Sequence, residues 1–235
     1  MSGKEISLRV PASCRPGEEH KTQRAFSESM EEYLEGIFRL QKEVDRVTTG
    51  EVATYMCVSA GSATAMIKKL AELGLAEHER YRGIRLTEIG ERVAKQLTHA
   101  HRILERFLVD VLDLPWNDVH ELACKLEHYI SEDVITKIDQ KLGHPKTCPH
   151  GNPIDPDQDD GSVRLQAAPK GELTVVKITD ERIEFLQRLE EIGLLPGVKF
   201  TAEGSTSIDS LIHIRVGEMP WTVGEEVGRH VWVRR

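Results

Sequence analysis

A stretch rich in proline and aspartate divides the chain into two parts of different character. Residues 144–170 contain Pro145, Pro149, Pro153, Pro156 and Pro169, together with Asp155, Asp157, Asp159 and Asp160. Proline lacks a backbone N–H and fixes φ, so such a stretch interrupts regular structure and is typical of a linker. Apolar residues recur at helical spacing before it, and strand-like runs follow it. The sequence predicts a mainly α protein with a small β domain.

The part before the linker is predicted to contain two helical units. From Ser27 to residue 95, one amphipathic helix, two short helices (50–56 and 59–73) around a tight turn, and two small strands (75–78 and 84–87) predict a winged helix-turn-helix. Three further helices, at 88–111, 117–130 and 132–142, predict a helical domain over residues 96–143.

The two ends of the chain are predicted to differ from this helical part. Residues 1–26 show no periodicity and are expected to form a flexible arm. In residues 171–235, a small β-barrel with one helix is expected, with strands at 173–178, 199–202, 208–216 and 230–233 and the helix at 181–191.

Composition limits the function classes. The net charge of −8 disfavours nucleic-acid binding. Residues 46–95, however, carry eight Lys/Arg against six Asp/Glu, so the net charge of this segment is +2. No apolar stretch approaches the roughly 20 residues that a membrane span needs, and we expect a cytoplasmic protein. The four cysteines, Cys14, Cys57, Cys124 and Cys148, are scattered along the chain. Such scattered cysteines favour ligand chemistry over a disulfide framework.

One predicted helix concentrates metal-ligand residue types. His120, Cys124, Glu127 and His128 occupy relative positions 0, 4, 7 and 8, which lie on one helical face. At ~1.5 Å rise per residue, the two histidines are about 12 Å apart along the axis. One ion with bonds near ~2 Å cannot bind both, so the face predicts two sites.

The second site needs donors from a neighbouring helix. His101 and Glu105 stand at i and i+4 there, and their pairing with His120 is a candidate second ion site. The alternative is that all these residues form solvated polar faces. Six candidate ligands within 28 residues favour the metal interpretation.

The second short helix and the wing are candidates for DNA contact. Small residues at a helix N-terminus let the backbone approach DNA, and recognition helices contact base edges from that end. The alternative is that the serines only cap the helix. The candidate DNA-binding residues are Ser59, Ser62, Thr64, Lys68, Lys69, Tyr81, Arg82 and Arg85.

A Cys-Pro-His sequence in the linker gives a weaker metal signal. Cys148 and His150, with His144 nearby, suggest zinc, but the ligand set is incomplete in sequence and the segment is rich in proline. A structural loop is the favoured interpretation.

Three segments together resemble the diphtheria toxin repressor family of metal-dependent transcriptional regulators. They are Ser29–Glu35 (SMEEYLE), Val119–His128 (VHELACKLEH) and Gly151–Ile154 (GNPI). The resemblance spans roughly residues 27–235. It implies a winged helix-turn-helix, a helical domain for metal binding and dimerisation, and a C-terminal SH3-like barrel of the FeoA type.

The resemblance also implies ligand sets. The primary site would comprise Glu32, Cys124, Glu127 and His128, with Glu35 also used in the manganese branch. The ancillary site would comprise His101, Glu105 and His120, with Glu181 and Glu184 of the barrel as the closest matches for two further ligands.

Ligand chemistry leaves the metal open. The iron branch has methionine where Glu32 stands, and the manganese branch has acids at the positions of both Glu32 and Cys124. Carboxylate favours harder ions and thiolate softer ones, so both Mn²⁺ and Fe²⁺ fit this hybrid set. The family's recognition helix often carries glutamine at the position of Ala65, so this chain's operator need not be the family's usual one.

The expected function is a homodimeric repressor that binds a palindromic operator in double-stranded DNA, with Mn²⁺ or Fe²⁺ as co-repressor at two sites per subunit. Two alternatives use the same residues. A metallohydrolase would need an open coordination position and a substrate cleft, and the sequence has no HExxH-like arrangement. A metal-independent winged-helix regulator would leave the cluster a structural role.

Overall fold

The computed structural model describes residues 26–79, 81–205 and 211–235. The predicted arm lies outside the described residues except for Phe26. The elements, in chain order, are α1 Glu28–Leu40, α2 Thr49–Tyr55, α3 Ala60–Glu72, β1 Ala76–Glu79, β2 Gly83–Leu86, α4 Glu88–Asp110, α5 His120–Glu127, α6 Glu132–Lys141, β3 Val163–Arg164, β4 Gly171–Ile178, α7 Ile183–Glu191, β5 Lys199–Ser205, β6 Ile212–Val216, β7 Met219–Val223, α8 Glu225–His230 and β8 Val231–Arg234. The predicted class, mainly α with a small β domain, is confirmed.

The first unit, α1 to β2, is a winged helix-turn-helix with local caps at its short helices. Thr48 and Glu51 form a reciprocal capping box at the start of α2, and the Ser59 hydroxyl accepts from the Ser62 amide at the start of α3. The antiparallel pair β1–β2 forms the wing. Leu34 of α1 and Ile67 of α3 are completely buried in the core of this first unit. The helices therefore pack through the apolar stripes that the sequence predicts.

The second unit is built on the 23-residue helix α4, which contacts α1, α5 and α6. Ile103, Leu104 and Leu108 form its buried centre. Helix α5 is shorter than the predicted 117–130. Before His120, the Asp118 amide donates to the Pro115 carbonyl and forms a turn. After His128, the chain leaves α5 and begins the next helix, α6, behind Ser131.

The proline-rich segment packs, contrary to the linker prediction. Cys148, His150, Asn152 and Ile154 are all buried. Between Cys148 and Ile154 the backbone groups are paired outside any helix or strand: the Cys148 amide donates to the Asn152 carbonyl, and the Ile178 amide of β4 donates to the His150 carbonyl. Proline therefore suppresses helices and strands here without preventing burial.

The third unit is a six-stranded antiparallel sheet of order β3-β8-β4-β5-β6-β7 with α7 and α8. The predicted strand at 208–216 is observed as β6, whereas residues 206–210 lie outside the described part of the chain. Strands β3 and β7 and helix α8 were not predicted from the sequence. Strand β7 contains Pro220 and lies at the sheet edge, the position where a strand tolerates proline.

The barrel docks on the helical unit through Trp116. This side chain packs against the barrel core, and its indole nitrogen donates to Glu190 of α7, which also accepts from Asn117. Within the described ranges, no helix has the length and apolar character needed to cross a membrane.

Gly90 at the start of α4 tests the packing between the first two units. A Cβ atom there would lie 2.0 Å from the Leu75 carbonyl oxygen, whereas a Cβ at Gly50 would meet only the Thr48 hydroxyl at 3.8 Å. We expect Gly90→Ala to lower the free energy of unfolding by about 1–3 kcal/mol through overpacking. Gly50→Ala, in a helix with space, should leave it unchanged or raise it by up to ~1 kcal/mol. Thermal denaturation followed by circular dichroism checks both, and equal melting temperatures for the two variants would contradict the close approach.

Candidate metal centre

A network of buried carboxylates and imidazoles lies where α1, α4, α5, residues 148–154 and the barrel meet. Its centre is His101 of α4, which is 1% exposed. One ring nitrogen (Nδ1) lies 2.7 Å from Oε2 of Glu127, and the other (Nε2) lies 3.0 Å from Oε1 of Glu105. The i, i+4 pair on α4, whose shared face follows from the helical spacing, therefore faces α5.

Helix α5 contributes its residues to two different neighbours. His120 and Cys124 turn toward His101, with the thiol 3.7 Å from His120 Nε2 and 3.9 Å from His101 Nδ1. His128, the C-cap residue, turns toward α1, where its Nδ1 lies 2.8 Å from Oε2 of Glu31. Along α5, His120 and Cys124 therefore face α4, whereas His128 faces α1.

The predicted primary set is not gathered into one group. Glu32 belongs to a group with Glu28 and His128 whose donor atoms all lie within 4.8 Å of one another, while Cys124 belongs to a group with His101 and His120. Glu127 lies between the two groups, 3.7 Å from Nε2 of His128.

Glu35 is buried without joining either group. Its carboxylate accepts from the Thr98 hydroxyl of α4 at 3.4 Å. Glu28 and Glu31, which lie near His128, were not among the predicted site residues. Their signal was available, because both precede Glu32 in the first turn of the same helix.

The predicted ancillary set is gathered, with one exception. His101, Glu105, His120 and Glu181 form one group within 4.8 Å, and Oε2 of Glu181 lies 3.0 Å from Nδ1 of His120. Glu184 is exposed on α7 and belongs to none of the groups found among the described residues.

A further group contains the two linker residues that were interpreted as a structural loop. Cys148 and His150 form a group with Glu105 and Glu181, again within 4.8 Å. The signal in sequence was the Cys-x-His spacing, but its two carboxylate partners lie 43 and 31 positions away from Cys148 and His150 respectively, so only the fold completes the set.

Opposite charges hold this network together. Burial opposes protonation of His120 and His150, but contacts with Glu105 and Glu181, and with a cysteine in each case, raise the pKa of His120 to about 12 and that of His150 to about 11. Burial also opposes ionisation of Glu105, yet His101 and His150 hold its pKa well below the ordinary value. The network therefore alternates carboxylates with protonated imidazoles.

The pKa values of two groups on α5 are shifted in opposite directions. Burial raises the pKa of Glu127 to about 8, although the neighbouring His101 acts in the other direction. Burial would also raise the pKa of Cys124, but hydrogen bonds from His101 and His120 outweigh it and lower the pKa to about 6. At neutral pH the Cys124 side chain is mostly thiolate, the form that binds metals.

The residues fit a divalent metal. Oε2 of Glu105 is buried and has no hydrogen-bond partner among the described residues. A buried carboxylate oxygen without a hydrogen-bond partner is costly, and a bound cation would offset that cost. The donors in these groups are imidazole, carboxylate and thiolate, which together suit Mn²⁺, Fe²⁺ and Zn²⁺.

The predicted DNA-binding residues lie on the surface of the winged helix. Ser59 caps α3, as the alternative interpretation held, and the Thr64 hydroxyl donates to the Ala60 carbonyl. The remaining candidates are exposed on α3 or the wing: Ser62, Lys68, Lys69, Tyr81, Arg82 and Arg85. Arg82 pairs with Glu79, and Arg85 pairs with Asp45.

Comparison with known proteins gives three consecutive family matches. Residues 25–84 match the iron-dependent repressor N-terminal DNA-binding domain, residues 87–156 match its metal-binding and dimerisation domain, and residues 163–235 match the FeoA domain. The iron-dependent repressor IdeR of Mycobacterium tuberculosis is 32% identical over 193 residues, which cover 75% of this chain and 84% of that protein.

Solved structures agree with these matches. A manganese-dependent transcriptional repressor in complex with manganese is 31% identical with a TM-score of 0.80, and the match covers 87% of this chain and 98% of that one. ScaR with bound Zn²⁺ is 28% identical with a TM-score of 0.77, covering 88% and 99%. The order of domains, the buried donors and these matches lead to one conclusion: the chain belongs to the iron-dependent repressor family of metal-dependent, DNA-binding transcriptional regulators.

Proposed function

We propose that the chain is a homodimeric repressor that binds a palindromic DNA operator when Mn²⁺ or Fe²⁺ joins its winged helix to its helical domain. The observation that carries this proposal is the contact between α1 and α5. Glu28, Glu31 and Glu32, near the start of α1, lie close to His128 at the end of α5. Donors from the DNA-binding unit and the helical unit thus lie at one point.

The proposed primary donors are Glu32, Cys124, Glu127 and His128, with Glu35 as a further carboxylate. His101, Glu105, His120 and Glu181 are the proposed ancillary donors. A divalent ion supplies positive charge at these carboxylates and fixes the distance between the elements that carry them. The side chains then hold α1 against α4 and α5.

Fixing α1 sets the position of α3, because both helices share the core of the winged helix. In a two-fold dimer, the two α3 helices would read half-sites about 34 Å apart or a multiple of that distance. A donor set that is complete only in one orientation of the winged helix selects that orientation from an ensemble. Metal therefore acts as co-repressor by a population shift.

Selection from random duplex DNA tests the proposal directly. The purified chain is incubated with the pool with Mn²⁺, with Fe²⁺ under anaerobic conditions, or with a chelator, and bound DNA is sequenced. We expect a palindrome recovered only with metal. The same sequence recovered equally well with chelator would contradict metal dependence, and a non-repeated site would contradict a symmetric dimer.

Cys124→Ala tests the primary donors. We expect the Mn²⁺ concentration needed for half-maximal operator binding to rise at least ~10-fold, since loss of even an outer-shell partner costs about 10- to 100-fold in metal affinity. Lys125→Ala, at the exposed neighbouring position of α5, is the matched control. Fluorescence anisotropy of a labelled operator, titrated with Mn²⁺, measures the midpoint for each variant. An unchanged midpoint for Cys124→Ala would remove this residue from the set.

Arg82→Ala tests the wing. Removing one phosphate contact should weaken DNA binding several-fold on all sequences and reduce the slope of log affinity against log salt by about 1. Arg229→Ala removes an exposed, ion-paired arginine from the barrel and serves as the control for net charge. If both variants bind DNA like the parent chain, the wing does not contact the phosphates.

Metal binding should release protons, because imidazole binds a cation only in its neutral form. His120 has a pKa of about 12 and is protonated at pH 7.5, whereas Cys124, with a pKa of about 6, has already lost its proton. Apparent Mn²⁺ affinity should therefore rise between pH 6 and 8, by about tenfold per pH unit for each proton released.

Calorimetry at pH 7.5 in two buffers of different ionisation enthalpy measures the proton count. We expect at least one proton released per subunit on saturation with Mn²⁺. Identical heats in the two buffers, together with an affinity independent of pH, would contradict protonated imidazoles in the donor set.

A further inference from the structure

Helix α1 presents a cation of its own to the buried network. Arg39 lies in its last turn, four residues after the buried Glu35, so both side chains project from the same face of the helix. Nη1 of Arg39 lies 3.4 Å from Oε2 of Glu181 at the start of the barrel. The Arg39 side chain is 31% exposed and that of Glu181 is 7% exposed. A residue of the DNA-binding unit therefore reaches a nearly buried carboxylate of the barrel.

The oxygen that Arg39 contacts is also the oxygen that faces His120. Oε2 of Glu181 lies 3.0 Å from Nδ1 of His120, whereas Oε1 accepts from the side-chain amide of Asn152 at 3.1 Å. A divalent ion bound between Glu181 and His120 would draw on Oε2. That oxygen would then be a poorer acceptor for a guanidinium, and the two cations beside it would repel each other. Arg39 and a metal ion therefore compete for one carboxylate oxygen.

Both partners of this ion pair keep their charge. Burial lowers the pKa of Arg39, but Tyr55 and Glu181 raise it, and the balance lies well above the ordinary value. Burial and the neighbouring Glu105 raise the pKa of Glu181. The positive charges of Arg39 and His120 act in the other direction, and the pKa of Glu181 lies well below its ordinary value. A full ion pair thus joins α1 to the barrel.

We propose that Arg39 is an internal competitor of the metal and sets the metal concentration at which this protein responds. In the metal-free chain, its guanidinium stabilises Glu181 and ties α1 to the barrel. When a divalent ion binds Glu181, Arg39 loses this partner. Helix α1 then exchanges its attachment to the barrel for the attachment to α5 through the donors near His128. The inference rests on the proposed function, because it concerns the metal response of the same donors.

A second ion pair between the same two units provides a matched control. Glu43, three residues beyond the end of α1, pairs with Arg164 of β3, and the two side chains are 50% and 34% exposed. Neither residue belongs to a donor group found in the described part of the chain. Glu43→Gln therefore breaks a contact between the winged helix and the barrel without touching a proposed metal donor.

The metal affinity of the full chain tests the competition. Mn²⁺ affinity is measured by competition with a fluorescent chelator for the parent chain and for Arg39→Gln, Arg39→Lys and Glu43→Gln. We expect Arg39→Gln to raise the affinity of the ion at Glu181 at least ~5-fold, because a positive charge close to the ion is removed. Arg39→Lys keeps the charge and should stay nearer the parent, and Glu43→Gln should match the parent.

The variant Glu181→Gln identifies the ion concerned. In this background, Arg39→Gln should no longer raise the Mn²⁺ affinity, because the carboxylate for which the two cations compete is gone. An equal gain in affinity with and without the Glu181 carboxylate would indicate a general effect of net charge and would overturn the competition.

Thermal melting tests the tie between α1 and the barrel. In chelator, Arg39→Gln should lower the melting temperature by about 2–4 °C, the shift expected for the loss of one charge-assisted hydrogen bond in a chain of this size. With saturating Mn²⁺ this difference should vanish or change sign, whereas Glu43→Gln should lower the melting temperature equally in both conditions. An equal loss for Arg39→Gln with and without Mn²⁺ would contradict the release of Arg39 by metal.

These measurements use no DNA, so their failure is distinct from failure of the repressor function. If Arg39→Gln changes neither Mn²⁺ affinity nor the melting temperature in chelator, the proposal for Arg39 is wrong and the repressor function stands. If the operator selection shows no dependence on metal while Arg39→Gln still raises Mn²⁺ affinity, the competition stands and the repressor mechanism is wrong. Circular dichroism of each variant confirms that its helices are retained.

Discussion

The architecture depends on the burial of His101 between two carboxylates. Glu127 and Glu105 approach opposite nitrogens of one imidazole ring, and all three side chains are buried. An ionised carboxylate is costly to bury, and the charged His101 imidazole offsets that cost for Glu105, whereas burial keeps Glu127 largely protonated at neutral pH. Burial lowers and Glu105 raises the pKa of His101, and the balance places it well above the ordinary value. The helices α4 and α5 are therefore joined by charge as well as by apolar contact.

The same arrangement extends outward to every other unit. Through His128 it reaches α1, and through Glu181 it reaches the barrel, where Arg39 of α1 also donates to the Glu181 carboxylate at 3.4 Å. The winged helix and the barrel are thus both attached to polar groups at the centre of the molecule. A cation that changes the charge at this centre acts on both attachments at once.

The sequence predicted those parts of the site that follow from helical geometry. His101 with Glu105, and His120 with Cys124, are i, i+4 pairs, so their shared faces could be read without knowing the fold. Periodicity does not say which faces meet. The separation of Cys124 from His128, toward α4 and α1 respectively, emerges only from the packing of three helices.

Parts of the fold that carry no periodic signal were missed for the same reason. Cys148 and His150 lie in a proline-rich segment, and their burial results from backbone pairing with β4, a strand that begins 21 residues beyond His150. Gly151 explains the close fit: its φ is +84°, and a Cβ there would lie 2.1 Å from the Val176 carbonyl oxygen. Short edge strands such as β3 offer too few residues for an alternation to be recognised.

The strand order of the barrel also bears on how the chain avoids aggregation. Strand edges with unpaired N–H and C=O groups recruit further strands from other molecules. One edge of this sheet is β3, only two residues long, and the other is β7, where Pro220 removes a donor. Both edges are therefore poor templates for strand addition. The margins of this six-stranded sheet can stay exposed to a crowded solution without recruiting strands from other molecules.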